Sequence, residues 1–151
     1  MATIKGRIKA ISISEKKGTQ KINVPQARLL ADFGIVGDAH AGNWHRQVSL
    51  LAIESIDKMI AKGMEVFPGG FAENITTEGI DLLSLSLGSK LSLGQNAELE
   101  ITQFGKKCHD KCEIFERIGD CIMPREGVFA KVIKAGWIRV GDVIKVISGE
   151  N

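Results

Sequence analysis

LSLGSKLSLGQNAELEITQF, residues 85–104, reads as two strands. From Ala97 to Phe104, Leu99, Ile101 and Gln103 alternate against Glu98, Glu100 and Thr102, the period of two expected of a strand with one buried face. Lys90–Leu93 is the shorter partner, with Gly88 and Gly94 as turn residues. The tail VFAKVIKAGWIRVGDVIKVI (128–147) repeats the theme as three β-rich runs, broken at Ala135-Gly136 and Gly141-Asp142. At the other end, IKGRIKAISIS (4–14) alternates isoleucines with polar residues and reads as a further strand. Six or more short strands with turn glycines (17 glycines against 3 prolines) indicate a mostly β barrel.

Between these strands the pattern changes. EKKGTQK (15–21) is a charged hairpin-type loop, and Pro25 is expected to open a short helix within Asn23–Phe33. One strong helix is expected over SLLAIESIDKMIAKGM (49–64). Ser49 serves as its N-cap, Leu50, Ile53, Ile56 and Ile60 form its apolar face, and Gly63 closes it. EVFPGGFAENITTEGIDL (65–82) is a Gly/Pro-rich stretch interrupted by a short strand at Phe71–Ile75.

At 151 residues the chain is expected to form a single domain over 1–151, long enough to bury a substantial core. Its 20 basic and 18 acidic residues leave a net charge of +2, which argues against nucleic-acid or membrane-surface binding. No apolar run approaches the ~20 residues needed to span a bilayer. MATIKGRIKA lacks the apolar core of a secretory signal, so a cytoplasmic location is expected.

Three regions offer chemistry. FGKKCHDKCEIFERIGDC (104–121) holds all 3 cysteines. Lys106 and Lys107 precede Cys108, and ammonium groups beside a thiol favour the thiolate, which attacks electrophiles and binds soft metals. With His109, Cys112 and Cys121 the ligand count of a structural zinc is reached, although the spacing matches no familiar zinc knuckle. Cys121, between Ile118 and Ile122, also suits plain packing. GIVGDAHAGNWHRQVSLL (34–51) carries Gly34, Gly37 and Gly42, with His40, His45 and Arg46 as donors for an anion; its histidines are also open to metal binding or to plain solvent exposure. FPGGFAENITTEG (67–79) presents Asn74, read as a donor and acceptor for a heterocycle edge or as an ordinary turn residue. In MPREGVFAKV (123–132), Arg125 is a further candidate anion clamp or a solvated arginine.

Taken in order, GIVGDAHAG (34–42), HRQVSLL (45–51), GGFAENITTEGIDL (69–82), AELEITQFGKKC (97–108) and REGVFAKVIKAGWIRVGDVI (125–144) resemble the MOSC family. The resemblance runs from about residue 4 to 147. It implies a closed, mostly β barrel with a few peripheral α-helices. It also implies one working cysteine after the L-E-[IV]-T-Q strand, here Cys108, which carries sulfur or ligates molybdenum in the molybdopterin cofactor. His40, His45, Arg46, Asn74, Lys107 and Arg125 are the cofactor-binding candidates that go with it. Relatives place an arginine two residues before the asparagine, where this chain has Ala72. Sulfur donors or acceptors of cofactor biosynthesis are the partners implied, and some relatives reduce N-hydroxylated compounds. At family level, pyridoxal phosphate binding is associated as well. A non-catalytic carrier and a zinc-stapled β domain are the competing readings.

Overall fold

β1 (Lys5–Ile13) is the strand from which the rest is hung, and it has three partners along its length. The computed structural model, which describes residues 5–105 and 122–148, continues with β2 (Ile22–Val24), β3 (Gln26–Leu30), β4 (Gly34–Ile35), β5 (Val48–Ala52) and α1 (Ile53–Ala61). β6 (Ile75–Glu78), a 3₁₀ turn at Leu82–Ser84, β7 (Lys90–Leu93) and β8 (Ala97–Phe104) follow. The last described elements are α2 (Met123–Glu126), β9 (Val128–Lys134), β10 (Gly136–Arg139) and β11 (Val143–Ser148).

Seven strands close into a barrel in the order β11-β7-β8-β9-β5-β6-β1, with β1 pairing back to β11. β1 meets β11 through Lys5–Arg7, β6 through Arg7–Ile11, and β2 through Ile11–Ile13. A register shift between Ile8 and Ala10 re-aims it on the way. Gly6 is required at the crossing, because a Cβ there would run into the Glu78 carbonyl oxygen. β5 and β6 are the parallel pair, and parallel neighbours need a crossover; α1 lies on that connection. A small second sheet, β10-β3-β4, packs beside the barrel.

The main core, to which both sheets contribute, is aliphatic: Ile8, Leu50, Ile75, Leu91, Leu99, Val128 and Ile144 from the barrel strands and Leu29 from β3 are all fully or nearly fully buried. A second cluster, Leu51, Ile56, Met59, Phe71, Met123 and Phe129, sits outside the wall beneath α1 and α2. β5 is therefore covered on both faces, Val48 and Leu50 inward and Leu51 outward. That double burial explains why VSLL imitates the apolar face of a helix. Ser49 is not an N-cap but the second residue of β5; the cap position falls on Ala52, with no side-chain bond, and Leu50 belongs to the strand.

Two further expectations are corrected. Pro25 opens no helix; it separates β2 from β3, where its missing N–H costs no ladder bond and its carbonyl accepts from Val140 N–H (3.1 Å). The strand expected at Phe71–Ile75 begins only at Ile75. Residues 69–73 instead turn about a buried carboxylate, with Ala72 at φ +67. Among the described residues no helix is long and apolar enough to cross a membrane.

Candidate functional site

The loop between β4 and β5 is held from below by a buried ion pair. Lys21 Nζ donates to Asp38 Oδ1 at 2.8 Å, and neither side chain has any solvent exposure. The same ammonium reaches Ser14 Oγ at 2.9 Å and His40 Nδ1 at 3.1 Å. Asp38 also accepts from Ser14 N–H (3.1 Å) and His40 N–H (3.0 Å). Burial pushes the Asp38 carboxyl up, but the Lys21 ammonium, by hydrogen bond and by charge, and the Ser14 N–H outweigh it and hold it well below the usual carboxylate range. Ser14 and Lys21 are not a nucleophile and its base. The lysine's charge is fixed by Asp38, so it has no lone pair to accept a proton.

The outer half of the loop is a cationic and aromatic cluster. Trp44 Nε1 donates to the His40 carbonyl (2.8 Å), which sets the indole upright. Lys17 Nζ lies 4.8 Å and the Arg46 guanidinium 4.7 Å from the Trp44 ring centroid; the guanidinium also covers Phe129 at 5.6 Å. Arg46 Nε is buried without a partner among the described residues. His45 is exposed and pairs through Nε2 with Gln103 Oε1 (2.7 Å), while its carbonyl accepts from Thr102 Oγ1. The loop is thus stitched to the last residues of β8.

β8 ends at Phe104, and Gly105 follows in the left-handed region at φ +63. Its N–H donates to the Gly127 carbonyl (2.7 Å), and a Cβ would strike the Pro124 carbonyl oxygen, so only glycine brings β8 this close to α2. Lys106, Lys107, Cys108, His109, Cys112 and Cys121 lie outside the described residues. Arg125 is exposed on α2. Its neighbour Glu126 bonds Ser55 Oγ (2.5 Å) and Lys58 Nζ (2.6 Å) on α1. Burial raises the Glu126 carboxyl, but the Lys58 and Ser55 bonds and the charges of Lys58 and Arg125 bring it below its ordinary value.

Asn74 faces inward. Its Oδ1 accepts from Ser49 N–H (2.9 Å) and Ser49 Oγ (3.2 Å), and its Nδ2 donates to the Ser12 carbonyl (3.1 Å). Its own N–H and carbonyl bond Ser49 and Ser12. The side chain therefore locks β5, β1 and the turn before β6 together. Glu73, which sequence reasoning passed over, is fully buried and accepts from Gly69 N–H (2.8 Å), Phe71 N–H (3.1 Å) and Thr76 Oγ1 (3.1 Å). Burial raises its carboxyl above the ordinary value despite those bonds.

His40, His45 and Arg46 thus fall on one loop joined to the exit of β8. Asn74 is bonded to Ser49, three residues after Arg46 in the chain, and Arg125 stands on α2. Lys21 and Asp38 were also missed: Asp38 sat within the quoted GIVGDAHAG phrase, whereas Lys21 carried no local signal. Among the described residues no three His, Cys, Asp or Glu side chains are grouped to hold a metal ion.

The fold is a closed β-barrel domain, and Trp44 and Arg46 of the β4–β5 loop gather with Lys17 into one basic, aromatic cluster. The chain belongs to the MOSC domain family, whose model matches residues 37–145; that family is linked to the molybdenum cofactor. The YuaD protein from Bacillus subtilis has the same fold, with a TM-score of 0.80 at 21% identity over 99% of each chain. YiiM from Escherichia coli (TM-score 0.68, 18% identity) covers 94% of this chain and 70% of its own. YiiM from Geobacillus stearothermophilus (0.72, 17%) covers 95% and 75%. No curated protein matches in sequence.

Proposed function

We propose that this chain binds the molybdenum cofactor, with Cys108 as thiolate ligand to the metal or as the acceptor that carries its sulfur. Arg46 is the observation that carries the reading. Its guanidinium is clamped by Trp44 and Phe129 while Nε stays buried without an acceptor. Leaving a buried donor unsatisfied costs roughly 1–3 kcal/mol, and more when the group is charged. An anionic oxygen removes that cost, and a pterin phosphate supplies one.

The donor set fits such a group. Arg46, His45 and His40 occupy one loop, Arg125 stands on α2, and Lys107 and Cys108 follow the β8 exit. The cofactor would supply a redox-active metal with affinity for soft sulfur ligands. The chain's own residues would bind the anionic tail, fix its orientation and bring one thiol to the metal. Asn74 supports this at one remove, since it anchors β5, the strand that continues from Arg46. Proteins that donate or accept sulfur are the partners this reading calls for.

The test is purification from a host that makes molybdenum cofactor, followed by elemental analysis and pterin fluorescence. Molybdenum and pterin are expected with the native chain. Cys108→Ser should lose the metal, and Arg46→Gln should bind at least about tenfold more weakly, the value of one charge-assisted hydrogen bond. Zinc that is lost on mutating Cys112 or Cys121 would overturn the reading in favour of a zinc-stapled domain. Neither metal would leave a carrier without cofactor. Reduction of N-hydroxylated compounds such as amidoximes, as some relatives carry out, is the activity to assay on the molybdenum-loaded chain, and no turnover there would exclude a reductase role.

A further inference from the structure

Among the described residues the Lys21 ammonium lies against Asp38 Oδ1 at 2.8 Å, Ser14 Oγ at 2.9 Å and His40 Nδ1 at 3.1 Å. An ammonium has no lone pair, so each atom it bonds must accept. The Lys21 charge is itself secured by Asp38, because a carboxylate with no solvent exposure needs its counter-charge. His40 Nδ1 must then present its lone pair, and the ring proton resides on Nε2. The competing arrangement, an Nδ1–H aimed at Asp38 Oδ2, spans 3.7 Å, beyond hydrogen-bond length. It would also set an N–H against the ammonium.

The ring has little freedom to escape this. The His40 backbone N–H is fixed on Asp38 Oδ2 (3.0 Å), its carbonyl on Trp44 Nε1 (2.8 Å), and its Nδ1 on Lys21. Its side chain is 19% exposed, so the imidazole still meets the surface.

We propose that Lys21 is a positioning residue that fixes His40 as an Nε2–H donor, so that the loop offers an anionic oxygen a hydrogen bond and offers a metal ion no lone pair. The ligand class follows from the proton: phosphate or carboxylate oxygens are accepted, while divalent cations are turned away at His40. The ligand half of this rests on the loop being part of the cofactor site. The tautomer half does not, because it is set by the unliganded protein.

Long-range proton–nitrogen NMR of the ¹⁵N-labelled full chain at about pH 8 reads the tautomer directly. His40→Gln assigns the signal among the three histidines. A single Nε2–H form is expected, favoured by more than about tenfold. A dominant Nδ1–H form, or an even mixture, overturns the assignment. Lys21→Met removes the donor, and Lys21→Met with Asp38→Leu also removes the carboxylate left behind, so that a folded variant is in hand. Either should show mixed tautomers. An unchanged single form would show that Lys21 does not set it. Stoichiometric Zn²⁺ should leave the native His40 signals in place, and inorganic phosphate at millimolar levels should move the Nε2 signal. Zinc broadening at native His40 overturns the metal exclusion, and silence toward phosphate overturns the donor role. Cofactor absent from the purified protein with the Nε2–H form present would fail the functional reading and leave this one standing.

Discussion

Lys21→Met roughly conserves side-chain volume and deletes one charge from a pair with no solvent exposure on either side. Removing one partner of a buried ion pair costs about 3–5 kcal/mol, because the remaining charge stays buried. Asp38 keeps two backbone donors, Ser14 N–H and His40 N–H, which places the expected loss near the lower end, about 3 kcal/mol. For a chain of this length each kcal/mol shifts Tm by roughly 2–4 °C, so a fall of about 6–12 °C is expected. Replacing both residues with apolar ones removes the stranded charge, so the double variant should be more stable than the sum of the single losses by about 2–3 kcal/mol. Urea denaturation followed by circular dichroism on the native chain, Lys21→Met, Asp38→Leu and the double variant completes the cycle. A Lys21→Met loss below about 1 kcal/mol, or additivity within about 0.5 kcal/mol, would refute a tightly coupled buried pair.

The two buried carboxyls predict opposite pH dependences. Asp38 is held below its ordinary 3.8, so its contribution is present above that value and is lost as the pH falls toward its folded value; Asp38→Asn should flatten the acid limb of a Tm–pH curve. Glu73 is raised above 4.5, so its contribution is present below 4.5 and is lost as the pH rises through its folded value; Glu73→Gln should remove that decline, and an unchanged curve counts against it. Gly105→Ala meets both the left-handed backbone and the Pro124 carbonyl, and should cost at least about 1–2 kcal/mol by the same denaturation assay. Asn74→Ala frees the Ser49 N–H, so hydrogen exchange at Ser49 should accelerate at least about tenfold, and an unaltered Ser49 rate would show that the latch carries no weight.

The strands that alternate cleanly were legible because each has one covered face and one wet face: Ala97–Phe104 and Lys90–Leu93 fall where their side-chain period puts them. β5 was not, because Val48, Leu50 and Leu51 are buried on opposite sides of the barrel wall and a doubly covered strand loses its period. Pro25 misled in a different way, since a fixed φ suits a helix start and a strand break equally. At the site, the loop with His40, His45 and Arg46 was legible from its glycines and donors. Lys21 was hidden because its meaning depends on Asp38, 17 residues away. Glu73 was hidden because two of the three bonds it accepts, from Gly69 and Phe71, come from backbone groups, which leave no mark in residue type.

The pairing of Lys5 with Lys145 sets an order of events during synthesis. β11 supplies both the seam with β1 and the partner for β7, so the ring stays open until β11 has left the ribosome. At about 5–20 residues per second, the stretch from Lys5 to Lys145 takes roughly 7–28 s to make, and β1 waits that long with one edge unsatisfied. Contacts this distant in sequence also slow folding. The exposed β1 edge is then the natural point for mispairing between nascent chains, and Lys5, Arg7 and Lys9, which carry positive charge along it, would repel a second copy during that interval.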